Sequence, residues 1–141
     1  MNDETKYAVA FHRIPGIGRV RCNLMRERLG LLGAAWGVSA SGLRDAGLDS
    51  KTVSAIVEAR PGISPDEEIA NLERAGITAL IPDDGPDNGA YPNLLRESYD
   101  PPAVLYVRGS LLEEDEAAVT VMGTRRVTSY GREVTIRWQG I

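Results

Sequence analysis

The chain has 141 residues with 43% hydrophobic content and a formal net charge of −4, which is enough for a globular core without disulfide or metal support. Its single cysteine, Cys22, excludes an internal disulfide framework, and no apolar run approaches the roughly 18 to 20 residues of a membrane span. The acidic start, Met1 to Lys6, lacks the basic-then-apolar pattern of a signal peptide, so the expectation is a soluble, cytoplasmic protein.

The net charge conceals a pattern. Residues 12–28 carry Arg13, Arg19, Arg21, Arg26 and Arg28 against Glu27 alone, and residues 120–141 carry Arg125, Arg126, Arg132 and Arg137 against Glu133 alone. Between them, residues 66–116 hold thirteen acids against three arginines. Local potential, rather than the total, steers a phosphate backbone, although arginines on solvated helix faces give the same count.

In chain order, Ala8, Val9 and Phe11 belong to a first short amphipathic helix that ends before Pro15. Val20, Leu24, Met25 and Leu29 form a second helical stripe, stopped at Gly30. Gly33 to Gly37 reads as a short connector containing Trp36. Ser39 is placed to cap a helix through Ala46 that Gly47 closes, and Asp49 or Ser50 to cap Lys51–Arg60. Pro61 to Pro65 is the clearest linker signal. Ser64, Pro65 and the acids Asp66, Glu67 and Glu68 then open a further helix ending near Ala75 and Gly76. Strands are expected at 77–81, 103–107 and 117–122, with a surface loop over 82–90 and a last helix from about Tyr130. The third strand is near-continuously apolar, as for a strand buried on both faces.

Ile14-Pro15-Gly16-Ile17-Gly18 lies between two helical segments and is followed by Arg19 and Arg21, a pattern similar to the helix-hairpin-helix motif. Two glycines permit a tight turn and close backbone approach, Ile17 plugs the hairpin, and the next helix points unpaired amides at a phosphate. Gly16, Ile17, Gly18, Arg19 and Arg21 are therefore candidate phosphate-binding residues; a plain linker between packed helices is the competing reading. Ala46-Gly47-Leu48-Asp49 reads as a degenerate, structural second copy, with an acid where the second glycine would stand. The lone His12 has no partner pattern for a metal or a catalytic triad.

Four ordered motifs follow. They are Tyr91-Pro92-Asn93-Leu94-Leu95, then Asp100-Pro101-Pro102 through Leu105, Tyr106, Arg108 and Gly109, then the apolar run into Gly123-Thr124-Arg125, then Thr128-Ser129-Tyr130-Gly131. This succession resembles the DNA-processing protein A family (DprA, also called Smf). The resemblance implies an α/β protein: a helical helix-hairpin-helix or SAM-like domain over 1–62, then the start of a Rossmann-like three-layer domain over 63–141, incomplete. It also implies a non-enzymatic protein without cofactors that binds single-stranded DNA, protects it, and assists loading of a RecA-type recombinase in transformation and recombination, acting as a homodimer and without a membrane. Gly123, Thr124 and Arg125 are the single-strand-binding residues it assigns.

The residues themselves agree with that assignment. A strand ending in Gly-Thr-Arg places amides, a hydroxyl and a guanidinium at the carboxyl edge of a sheet, where open α/β folds bind ligands, and a guanidinium suits phosphate bidentately. Thr128 and Tyr130 suit the start of the next helix, with Tyr130 read as packed rather than as a base-stacking platform. Arg126 reads as solvated, and Tyr91-Pro92 and Pro101-Pro102 as architectural. Only sixteen residues follow Arg125, fewer than the family's domain needs, so the expectation is a truncated chain with an impaired pocket and dimer interface. Two other functions stay open: a helical-hairpin module that docks duplex DNA or a protein, and a nucleotide-binding Rossmann enzyme. Against the enzyme, no P-loop or paired catalytic carboxylates accompany Gly123.

Overall fold

The structure is a computed structural model that describes residues 3–82, 91–112 and 122–139. Two compact units emerge, 1–111 and 112–141.

The first unit is helix-rich. Helices α1 (Asp3–His12), α2 (Arg19–Leu29), α3 (Leu32–Gly37), α4 (Ala40–Asp45), α5 (Ser50–Ala59) and α6 (Pro65–Arg74) precede strand β1 (Ile77–Leu80), the short helix α7 (Asn93–Arg96) and strand β2 (Leu105–Arg108). Caps set the boundaries where the sequence leads one to look. The Ser39 hydroxyl accepts from Gly42 N, the Asp49 carboxylate from Thr52 N, and the Ser64 hydroxyl from Glu67 N with Pro65 in the first turn of its helix. Gly30, Gly47 and Gly76 close the preceding segments at positive φ, a conformation that costs glycine nothing.

Two short helices depart from the reading of the sequence. The stretch around Trp36 is helix α3 rather than a connector, and Asn93–Arg96 is a single helical turn. Both are too short for an apolar period to register, and tertiary packing decides the first: Leu32 and Ala35 are fully buried, and Trp36 meets Phe11 edge-on at 4.8 Å. The strands expected at 77–81 and 103–107 are present, shifted at their ends to 77–80 and 105–108. They pair antiparallel, Ile77 opposite Arg108 and Leu80 opposite Leu105, as a two-stranded sheet. The fold is thus a mixed, helix-rich α/β arrangement. Residues 117–121 of the expected third strand lie outside the described residues, and Met122 lies outside regular structure.

One core serves the whole of this unit. Phe11, Ile14, Met25, Leu32, Leu43 and Ile56 cluster with Ala79, Ile81 and Val104, so burial runs across the Pro61–Pro65 punctuation. Arg60–Gly62 forms one turn of 3-10 helix there, and α1 packs directly against α6 and β1. Beneath α2, Arg26 Nε donates to Glu4 Oε1 at 2.7 Å, while Glu4 Oε2 accepts from Leu32 N at 2.8 Å. One carboxylate thereby anchors α1 to two neighbours. Arg60 donates to the Val38 carbonyl and lies over the Trp36 ring, and its desolvation lowers its pKa.

Tyr91, nearly fully buried, donates its hydroxyl to the Pro102 carbonyl at 3.1 Å. That bond ties the start of the Tyr-Pro motif to the double proline, which gives both motifs the architectural role expected of them. Burial raises the Tyr91 phenol.

The second unit contains α8 (Ser129–Gln139). Thr128 caps it by accepting from Gly131 N at 3.1 Å, and Thr135 donates back to the Gly131 carbonyl. Among the described residues no helix is long and apolar enough to cross a membrane, and no group of three or more potential metal ligands gathers.

Candidate nucleic-acid interface

Two places present the candidate residues, one in each unit.

The first is the hairpin between α1 and α2. Gly16 stands at φ +85°, Ile14 and Ile17 are buried, and Gly18 precedes α2 with extended φ −118° and ψ −167° and no side-chain cap. The turn is held by the Ile17 N to Ile14 O bond at 3.1 Å. The later turn repeats this arrangement: Gly47 at φ +95°, Leu48 buried, and Asp49 as the N-cap of α5. The sequence makes that second copy look degenerate, yet its backbone has kept the same plan of left-handed glycine, apolar plug and cap. The difference is chemical. Asp49 Oδ1 accepts from Thr52 N at 2.9 Å, and its Oδ2 accepts from Thr52 Oγ1 at 2.6 Å and from Arg21 Nη2 at 3.3 Å. The Thr52 hydroxyl and amide, helped by Arg21, hold this carboxyl down at about 2, so it stays anionic. Its carboxylate serves the start of α5 and Arg21 together.

The arginines expected at the first turn are brought together with acids. Arg21 Nη1 donates to the Gly16 carbonyl at 2.7 Å while its other terminal nitrogen reaches Asp49. Arg19 Nε donates to Asp100 Oδ1 at 3.0 Å and its Nη2 to the Tyr99 carbonyl at 3.3 Å. Tyr99 itself stands 99% exposed. The sequence offers no signal for the Arg19–Asp100 pair, because the partners lie 81 positions apart and Asp100 reads only as the first residue of a proline motif. Arg13, the third cation of this stretch, pairs with Glu68 at 3.3 Å. Beside it, His12 Nδ1 lies 3.1 Å from the Tyr106 hydroxyl, and burial raises that phenol. His12 is thus an exposed surface histidine with one hydroxyl neighbour.

The second place is the turn leading into α8. Gly123, Thr124, Arg125 and Arg126 are all exposed, and nothing lies within 4 Å of a Cβ built on Gly123. Thr124 Oγ1 accepts from Arg126 N at 3.3 Å, which bends the backbone around the hydroxyl. Among the described residues no acid pairs with Arg125 or Arg126, in contrast to Arg19 and Arg21. Tyr130 is 77% exposed, not packed as its place at the helix start suggests. A shallow groove runs along α8 between Val127, Ser129, Arg132, Glu133 and Ile136.

A helix-rich α/β protein with an exposed Gly-Thr-Arg-Arg turn that has no acid partner among the described residues, and with Arg19 and Arg21 after the α1–α2 turn paired to acids, is the class these features define. The model of a family described as DNA recombination-mediator protein A matches residues 85–139. The chain is also 30% identical over 139 residues to the protein Smf of Synechocystis, an alignment covering 95% of this chain and 34% of that relative. The chain belongs to this DNA-processing protein A family, DprA or Smf. It spans about a third of the length of the relative it matches. No solved structure matches it.

Proposed function

We propose that this chain acts in DNA processing and recombination as a non-enzymatic mediator that binds single-stranded DNA through Gly123, Thr124 and Arg125. Membership of a recombination-mediator family supports the DNA-processing role. The observation that carries the assignment to this turn is the exposed Arg125 guanidinium, which has no acid partner among the described residues and stands beside a glycine that leaves its backbone open. A guanidinium, a hydroxyl and a bare backbone suit a phosphate, and an exposed Tyr130 suits a base face. In this reading the strand is shielded from nucleases and handed to a RecA-type recombinase, the turn belongs to a Rossmann-like layer over 63–141, and the working form is a homodimer. The division at residue 62 is one of task, since packing runs across it.

Fluorescence anisotropy of the chain with a labelled oligothymidine and with a matched duplex, at low and moderate salt, tests this. Salt-sensitive preference for the single strand, weakened by Arg125→Ala, is the expected result. Removing one phosphate contact on a single strand lowers the log–log salt slope by about 0.7. Duplex binding alone, indifferent to Arg125, would overturn it.

A second reading has its own observation. The left-handed Gly16, the buried Ile17 and the uncapped Gly18 fit a helix-hairpin-helix turn over residues 1–62 that contacts DNA backbone. It predicts that Arg19→Ala weakens duplex binding while Arg125→Ala leaves it unchanged.

A further inference from the structure

The two hairpin arginines are each held by a carboxylate of the same chain, but the two carboxylates differ in how firmly they are placed. Asp49 is built into the start of α5 by two bonds to Thr52, so its contact with Arg21 is a fixed part of the fold. Arg21 is further occupied by the Gly16 carbonyl at 2.7 Å. Asp100 has no such anchorage. Its side chain is 71% exposed and, among the described residues, bonds to Arg19 alone. The segment carrying it is bent and irregular between α7 and the double proline. Arg19 meets that segment twice, through the Asp100 carboxylate and through the Tyr99 carbonyl, so among the described residues its side-chain hydrogen bonds go to this one short stretch.

We propose that Asp100 gates the hairpin as an intramolecular competitor: it occupies on Arg19 the place of a DNA phosphate, and a duplex backbone must displace it to engage the turn. The proposal rests on the second reading above, in which the hairpin touches DNA. A carboxylate and a phosphate oxygen make the same charge-assisted bond to a guanidinium, so the two are mutually exclusive on Arg19 Nε. An exposed pair of this kind is weak, so the gate tunes affinity rather than abolishing it. Its removal shifts binding roughly 1.5- to 5-fold, and salt shrinks the shift.

The test is a double-mutant cycle read by anisotropy on a labelled duplex at low salt, using the full chain, Asp100→Asn, Arg19→Ala and the pair together. Asp100→Asn keeps the shape of the side chain while removing its charge, and a thermal melt confirms that each variant is folded. The expected result is duplex binding about 1.5- to 5-fold tighter for Asp100→Asn, with the gain lost in the Arg19→Ala background. If Arg19→Ala weakens binding but Asp100→Asn changes nothing, the gate is overturned and the hairpin reading survives. A gain that persists without Arg19 would mark a general charge effect and also overturn the gate. Indifference to Arg19 would overturn gate and hairpin reading together.

Discussion

The hairpin glycines are expected to fail differently when a methyl group is added, although the motif treats them alike. Gly16 stands at φ +85° with open space around it, so the cost of Gly16→Ala is purely conformational. The left-handed region costs an L-residue about 1–2 kcal/mol. Against this, alanine loses less freedom on folding than glycine, by about 0.4–1 kcal/mol. The net is a destabilisation of about 1 kcal/mol, or roughly 4 °C in melting temperature for a unit of this size. Gly18 has an extended backbone and likewise nothing within 4 Å. There the same entropic gain is offset by the poorer capping of alanine, of similar size, and Gly18→Ala should melt within about 2 °C of the parent. Thermal unfolding followed by circular dichroism at the helical band decides the matter. Equal losses at both positions, or a larger one at Gly18, would refute the conformational argument. If the hairpin touches a backbone, Gly18→Ala should also weaken duplex binding while leaving the melt in place, since its Cβ then stands where the ligand approaches.

Phe11→Ala removes a fully buried ring packed edge-on against Trp36 and should cost about 3–5 kcal/mol, with loss of near-ultraviolet dichroism from Trp36. Cys22 is buried and its thiol is pushed up to about 11, chiefly by desolvation, so it should resist a thiol reagent at pH 8 until the chain unfolds; rapid labelling of native protein would contradict its placement. Asp49 is depressed to about 2 from an ordinary 3.8, so its contribution to stability is complete above about pH 4 and is lost as pH falls through 2. Asp49→Asn should therefore flatten the acid limb of the stability curve between those values, and an unchanged limb would remove the Thr52 and Arg21 contacts from the account. Arg125→Ala should leave the melt unchanged, because the side chain is exposed and unpaired among the described residues, while lowering single-strand affinity.

Much of the helical part was legible because its signals are local. Ser39, Asp49 and Ser64 cap where a short polar side chain precedes an apolar period, and Gly30, Gly47 and Gly76 stop helices where a left-handed residue is required. Helix α3 was not legible, since six residues give too little period and its existence depends on Leu32 and Ala35 reaching a core built by distant segments. The hairpin turn followed from its glycines, but its electrostatic state did not. Whether Arg19 and Arg21 face solvent or an acid depends on where residues 49 and 100 arrive in space, and no spacing rule encodes that. At the Gly123 turn the residue types alone suggested phosphate chemistry, and the absence of a local acid is what the structure adds among the described residues.

The core shared between the early helices and the later strands also dictates an order of events during synthesis. Helix α1 leaves the ribosome early with a face that α6 and β1 will cover, and the cluster is closed only by Val104. At about 5–20 residues per second, the interval between residue 62 and that closure is roughly 2–8 s. Throughout it, the face of α1 that α6 and β1 will cover stays without that cover. The nascent chain is therefore exposed to chaperone capture, or to pairing with a neighbouring copy, over a window set by translation speed rather than by the stability of the finished fold.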